Sequence, residues 1–283
     1  MRVLVTGYNG QLGFDIIKRL EHLGIDCRGV DIQDFDLTKE ADVANYIRDY
    51  APDTVVHCAA FTAVDKAEEA KDLCYAVNVT GTENIAKACR AIGARLMYFS
   101  TDYVFNGEGD QPFEIDSPRG AKGYYGLTKG LGEDKVIEYV DRHFIVRISW
   151  VFGINGHNFI KTMLKLGADK PEITVVNDQV GSPTYTADLA VLLCDMLQTE
   201  KYGTYHASNE GYCSWFDFAT AIMQEAGLPC KVLPVTSDQY PSKAVRPKNS
   251  RLSKASLDQA GFNRLPTWQD ALKRYLQELN AAQ

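Results

Sequence analysis

Arginine, valine, leucine, valine and threonine fill positions 2–6, and apolar residues then recur at Leu12, Ile16, Leu20 and Leu23, a spacing near 3.6 that ends at Gly24. A buried strand, a turn and an amphipathic helix capped by glycine account for this pattern. The alternation repeats. It predicts strands over 27–32, 54–59, 95–100 and 144–149. Between them it predicts helices over 38–50, stopped before Pro52, over 71–77, over 80–92 and closed by Gly93, and over 129–140. Short β-branched runs alternating with helical segments predict an α/β fold, a doubly wound parallel sheet covered by helices on both faces.

Beyond Trp150 the rhythm loosens, and the chain predicts a smaller, mixed α/β lobe at 151–176 and 208–283, with a return to the sheet at about 177–207. Ser214-Trp215-Phe216-Asp217 resembles a capping box with Asp in place of Glu, opening a helix that ends at Gly227. Thr267-Trp268-Gln269-Asp270 repeats the device for the last helix, whose Trp268, Ala271, Leu272, Tyr275, Leu276 and Leu279 form one apolar stripe for the core.

Composition narrows the function classes. The 283 residues are 45% hydrophobic and 24% charged, enough for a sizeable core without metal or disulfide staples. Thirty Lys+Arg against 37 Asp+Glu leave a net charge of -7, which repels polyanions and argues against nucleic-acid binding. Apolar runs stay below the roughly 18 residues of a membrane span, and a strand pattern begins at once, so neither a membrane segment nor a signal peptide is expected. Seven scattered cysteines without a CxxC pair predict neither zinc nor a disulfide framework, and place the chain in a reducing compartment, the cytoplasm. Cys58 and Cys89, in apolar contexts, read as small core residues.

The first candidate chemistry lies between the first strand and helix, where Gly7-Tyr8-Asn9-Gly10-Gln11-Leu12-Gly13 has GxxGxxG spacing. Residues without Cβ suit a sharp turn, a close approach of backbone N–H groups to a pyrophosphate, and tight helix–strand packing. The helix N-terminus then faces the anion. This placement turns a weak motif into a dinucleotide-binding, Rossmann-type signature. Asp31, 18 residues past Gly13, suits the adenosine ribose hydroxyls of NAD, whereas a 2′-phosphate would meet repulsion there, so NADH is permitted and NADPH left in question. Asp36 and Leu37 could flank the adenine, although Asp36 could equally approach the cap of the next helix. Ala59, Ala60 and Phe61 close the third strand, with small residues that let a cofactor cross the sheet's carboxyl edge.

Tyr125-Gly126-Leu127-Thr128-Lys129 is YxxxK at the opening of a helix, with its two functional groups on one face. A nearby ammonium and the nicotinamide's charge favour the phenolate and bring a tyrosine closer to working range. The alternative is a buried aromatic and a solvated lysine. The position, 24 residues after Thr101 in a chain that already carries the dinucleotide turn, favours chemistry. A hydroxyl at a strand's carboxyl end can hydrogen-bond a substrate carbonyl beside the tyrosine.

These motifs, together with the stretches at 59–68, 100–105, 149–153, 178–184 and 246–250, resemble the extended short-chain dehydrogenase/reductases, and among them the dTDP-4-dehydrorhamnose reductases. The resemblance runs from residue 1 to the last helix. It implies hydride transfer from NADPH or NADH to the C4 ketone of dTDP-4-dehydro-L-rhamnose, giving dTDP-L-rhamnose for cell-surface polysaccharide. It implies that Tyr125 protonates the developing alkoxide, Lys129 anchors the nicotinamide ribose and lowers the tyrosine pKa, and Thr101 orients the ketone. Val64 and Asp102 would line the sugar site, and Trp150 would lie against the deoxysugar. From Gln239 to Leu257 there are five cations and no carboxylate, and Arg246 is the one expected on the diphosphate.

Two departures from the family pattern stand out. Some members are dimers bridged by Mg²⁺ through glutamates, and the counterparts here, Asp15 and Asp188, are one methylene shorter, which weakens the case for metal and leaves monomer or homodimer open. Phe61 replaces a residue that is often His or Tyr. A nucleotide-sugar epimerase or dehydratase using the same triad is the nearest alternative, and a non-catalytic NADP-binding regulatory subunit is the alternative from another class.

Overall fold

The computed structural model describes residues 1–240 and 242–281; the end of the second lobe, 282–283, lies outside the described residues. Six strands form the main sheet: β1 (Arg2–Thr6), β2 (Asp26–Val30), β3 (Thr54–His57), β4 (Arg95–Thr101), β5 (His143–Ile148) and β6 (Gly203–His206). Their order is β6-β5-β4-β3-β1-β2, all parallel. The chain runs outward from β1 to β2 and then reverses through β3, so the crevice between the carboxyl ends of β1 and β3 is the topological switch point, where open α/β sheets take their ligands.

Side-chain alternation decides the two faces of the sheet. Val3, Val5, Val56, Met97, Phe99 and Val146 point to one side, where they bury Leu12, Ile16 and Leu20 of α1 (Gln11–His22) together with Leu189, Leu193 and Cys194. Leu4, Val55, Leu96, Tyr98 and Ile145 point to the other, against Val43 and Ile47 of α2 (Glu40–Tyr50), Ile85 and Cys89 of α3 (Thr82–Ile92) and Val136 of α4 (Tyr124–Tyr139). Each such aliphatic side chain, once buried, contributes about 1.5–3 kcal/mol.

A separate apolar core lies beyond β5. It joins Ile160 and Met163 of α5 (Phe159–Asp169), Phe218 and Ile222 of α7 (Trp215–Glu225), and Trp268, Leu272 and Tyr275 of α8 (Trp268–Ala281). Between α5 and α7, helix α6 (Thr186–Leu197) leads back to β6 and packs on α1. The Ser214 box is present with both arms, the hydroxyl accepting from the Asp217 N–H and the Asp217 carboxylate accepting from the Ser214 N–H. At Thr267 one arm forms, because the Asp270 carboxylate is taken by Arg274.

The strands expected over 27–32 and 54–59 end two residues earlier, at Val30 and His57, and two of the expected helices differ more. The helix expected over 129–140 begins five residues earlier, at Tyr124, with Gly123 as its extended N-cap, so the whole YxxxK motif is helical. The two helices expected over 71–77 and 80–92 are one helical run, Lys71–Tyr75 and α3 joined through a π-helical segment, Ala76–Gly81. Neither Gly nor Pro separates them at 78–79, and the wider π turn aims Asn78 inward.

Candidate active site

A cleft of 820 Å³ opens along the carboxyl ends of β1 to β5. It brings together Gly7, Gly10, Gln11, Leu12 and Gly13 of the first turn, Asp31, Asp36 and Leu37 after β2, and Ala59, Ala60 and Val64 after β3. Thr101, Asp102, Tyr125, Lys129 and Trp150 complete it from the other end. Phe61 and Arg246 are not among its lining residues.

The turn fits a dinucleotide by a physical test. Gly7 has φ +66°, and a Cβ there would lie 2.7 Å from the Ala59 nitrogen, so β1 and β3 meet at the switch point through backbone alone. A Cβ on Gly13 would lie 2.8 Å from Tyr8 Cα, so glycine permits α1 to start tight against the turn with its N–H groups toward the cleft. Gln11 and Leu12 serve this packing with their side chains. Gln11 Oε1 accepts from the Gly153 N–H at 2.9 Å and from Asn158 at 3.1 Å, and Leu12 is buried in the core.

After β2, Asp31 lies one residue beyond the strand end, and its carboxylate accepts from the Ile32 N–H at 2.8 Å. Asp36 takes the second of its two expected roles, accepting from Thr38 N–H and hydroxyl at 2.9 and 2.7 Å while it borders the cleft. The one cation beside it, Lys39, lies 3.9 Å from that same carboxylate.

Tyr125 is half-buried in the cleft wall, and desolvation pushes its phenol above the ordinary 10, with the nearby Asp102 carboxylate adding to the rise and the Thr101 hydroxyl opposing it. Lys129, which is buried, is pushed down to about 7 by desolvation, with Glu133 opposing, and its ammonium lies 4.1 Å from the centroid of the Tyr98 ring. In the protein alone desolvation is the largest influence on Tyr125 and favours the phenol; the expected pull toward phenolate, which includes the nicotinamide's charge, belongs to the cofactor-bound protein. Thr101 donates to Asp102 Oδ1 at 3.0 Å and accepts from the Tyr103 N–H at 3.2 Å. Asp102 is itself pushed up to about 6 by burial, opposed by hydrogen bonds from Ser250 and Thr101.

Tyr103, within the stretch 100–105, packs edge-on against Tyr125, with ring centroids 5.6 Å apart. Other contributors lie outside the sequence motifs. Asn78 clamps Phe61 by accepting from its N–H at 2.8 Å and donating to its carbonyl at 3.2 Å, and it donates to Thr128 Oγ1 at 3.1 Å. Phe61 thus contributes its backbone to this network. His57, pushed down to about 3 by burial and by Lys129, is a neutral ring between Thr6 and Thr82, at 2.8 and 3.2 Å. Thr82 in turn donates to the Asn78 carbonyl at 2.8 Å. The only sequence signal for this chain of polar groups was a set of Thr, Asn and His within apolar segments.

The basic stretch is less free than its sequence implies. Arg246 donates to Asp65 at 2.8 Å, Lys248 lies 3.2 Å from Asp178, and Lys243 pairs with Glu69. Lys254 is buried, 5.0 Å from the centroid of the Tyr212 ring. The carboxylates missing from the segment are supplied by other parts of the chain. The two aspartates considered for Mg²⁺ are also engaged: Asp15 accepts from the Thr186 hydroxyl, and Asp188 takes both Arg274 guanidinium nitrogens at 2.7 Å and Asn209 at 2.8 Å.

Comparison with known proteins agrees with this geometry. Residues 1–281 match the family described as RmlD substrate binding domain. The spore coat polysaccharide biosynthesis protein SpsK of Bacillus subtilis (strain 168) is 43% identical over 281 residues, 99% of each chain. A crystal structure of a dTDP-4-dehydrorhamnose reductase from Clostridium acetobutylicum ATCC 824 superposes with a TM-score of 0.97 at 40% identity, covering 99% of this chain and 100% of the other. That of the dTDP-4-dehydrorhamnose reductase from Bacillus anthracis str. Ames, in complex with NADP, gives 0.96 at 42% identity, covering 98% and 99%. A glycine turn at the switch point, a Thr-Tyr-Lys constellation and full-length similarity converge on one conclusion: the chain belongs to the dTDP-4-dehydrorhamnose reductase family, with the RmlD substrate binding domain along its length.

Proposed function

We propose that this protein reduces the C4 ketone of dTDP-4-dehydro-L-rhamnose to dTDP-L-rhamnose in the cytoplasm, using NADH or NADPH. Residues 1–150 with the return at about 177–207 form the cofactor-binding part, and 151–176 with 208–283 the sugar-nucleotide part. The observation that carries the reading is that Tyr125 and Thr101 line the same cleft that begins at the phosphate turn. A reductase needs a proton donor at that place, since the ketone oxygen becomes an alkoxide.

The bound nicotinamide supplies the hydride. This chain's own residues do the rest. Gly7, Gly10 and Gly13 admit the pyrophosphate to the N-terminus of α1, and Asp31 receives the adenosine ribose. Lys129 holds the nicotinamide ribose, whose hydroxyls would stabilise its ammonium in the cleft. Thr101 donates to the ketone oxygen, Tyr125 gives that oxygen its proton, and exclusion of water strengthens both interactions. Val64, Asp102 and Trp150 flank the sugar, and Arg246 meets the diphosphate by exchanging part of its pairing with Asp65. Asp31 in the cleft suits the adenosine ribose hydroxyls of NADH, while the relative from Bacillus anthracis is seen in complex with NADP, so the reading admits both donors.

Steady-state oxidation of both cofactors, with the 4-ketosugar nucleotide generated enzymatically in situ, tests the reading. One cofactor oxidised per ketosugar reduced is expected, and the two KM values decide which donor is preferred. Tightly retained cofactor with no net consumption would instead mark an epimerase or dehydratase. Tyr125→Phe should lower turnover roughly a hundred- to ten-thousand-fold with cofactor affinity nearly unchanged, and wild-type turnover in that variant refutes the acid assignment.

A further inference from the structure

Trp150 sits just past the end of β5, where it lines the cleft in a left-handed backbone conformation, φ +49°. For a tryptophan that conformation costs about 1–3 kcal/mol and persists only where the surroundings over-determine it. Ser149 beside it is pinned from both sides, donating to the Ser182 carbonyl at 2.8 Å and accepting from Thr184 Oγ1 at 2.6 Å. The Trp150 carbonyl accepts from the Thr184 N–H at 3.1 Å. These bonds hold the backbone and leave the indole free to turn.

Two other residues hold the ring. Trp215 stacks on it, with ring centroids 3.7 Å apart and planes 15° from parallel, and Phe159 backs Trp215 at 4.6 Å. Gly181 provides the room, since a Cβ there would lie 3.0 and 3.1 Å from Cε2 and Cζ2 of Trp150. Trp215 is in turn set by its neighbours: it is the first residue of α7, behind the Ser214 capping box, and Cys213 pairs with Gly181 across a short antiparallel ladder. Capping box, ladder and indole stack form one rigid unit. Trp150 borders the cleft and Trp215 does not.

We propose that Trp215 is a positioning residue for the sugar: by occupying one face of the Trp150 indole it fixes the plane that Trp150 presents to the sugar, and so sets affinity for the nucleotide-sugar without touching the reacting atoms. The inference deepens the proposed function, and it rests on Trp150 facing the sugar. An indole already immobilised loses no rotamer freedom when the sugar arrives, so the binding energy of the stacked face is fully expressed.

Kinetics of four variants test this. Trp215→Leu should raise KM for the 4-ketosugar nucleotide about tenfold, with kcat within about threefold and KM for NADH unchanged. Trp215→Phe, which keeps an aromatic face, should recover most of that KM. Trp150→Leu should raise KM at least as far, and adding Trp215→Leu to it should raise KM no further, because the second residue acts only through the first. Equal KM in wild type and Trp150→Leu would show that the sugar does not meet Trp150 and would overturn the underlying reading. A raised KM in Trp150→Leu with an unchanged KM in Trp215→Leu, or additive effects in the double variant, would overturn the role of Trp215 alone. If leucine at 215 unfolds the smaller lobe, Gly181→Ala, which presses on the same ring from another side, must raise KM in the same way, and wild-type KM there rejects the proposal.

Discussion

At Asp102 two demands on one residue collide. Its carboxyl is pushed up to about 6 against an ordinary 3.8, mainly by burial, and its Oδ2 has no hydrogen-bond partner among the described residues. A carboxyl whose folded value lies above its unfolded value binds more protons when folded, so stability is lost as pH rises from about 3.8 through 6, and the full penalty applies above that. Asp102→Asn removes the charge at nearly constant shape. Its melting temperature should therefore match the wild type near pH 4 and exceed it at pH 7 to 8, as thermal denaturation across pH will show, while activity on the ketosugar falls. An unchanged difference across that range would mean that Asp102 ionises as freely in the fold as in the unfolded chain.

At the scale of elements, α4 carries the chemistry and is placed by close backbone contact. A Cβ on Gly126 would press on the Tyr103 peptide, 2.7 Å from its carbonyl carbon. Glycine therefore lets the YxxxK helix lie directly on the turn that follows Thr101, and the distance between Tyr125 and Thr101 depends on it. Gly126→Ala should fold, with a normal circular dichroism spectrum, yet lose about a hundredfold in turnover, since a displacement near 1 Å at the acid carries that penalty. Normal turnover with alanine would show that the helix has slack. Sequence periodicity alone places the start of this helix at Lys129, because Tyr124, Tyr125 and Gly126 bear no apolar stripe; only the packing against Tyr103 shows why the first turn is helical.

At the scale of the molecule, the reacting end is tied to the sheet by a buried ion pair. Arg147 on β5 gives both Nε and Nη2 to Glu133 on α4 at 2.8 Å, with side chains 7% and 2% exposed, and its Nη1 donates to the Ile115 carbonyl at 2.9 Å. Removing one partner strands a desolvated charge. Glu133→Gln should destabilise the protein by about 3–5 kcal/mol, measured by denaturant unfolding, whereas replacing both partners by apolar residues should cost far less. A loss below about 1 kcal/mol would place the pair among those that solvent screens. The net charge of -7 holds for the whole chain, but the basic stretch at 239–257 meets carboxylates from elsewhere, so its local field is weaker than its sequence implies.

The linear sequence by itself determined what depends on near neighbours. Alternation and 3.6-residue periodicity yield the strands and helices of a doubly wound sheet, and fixed spacings yield the glycine turn, the Ser214 box and the YxxxK pair, because each is a local geometric requirement. Only the tertiary structure decided what depends on residues far apart. It joined the helices at 71–92 through a π segment that delivers Asn78 to Phe61 and Thr128, gave Arg246 to Asp65, and stacked Trp150 on Trp215. It also set the desolvation that shifts Tyr125 up and Lys129 down, which is a property of everything packed around a group and not of the three residues between them.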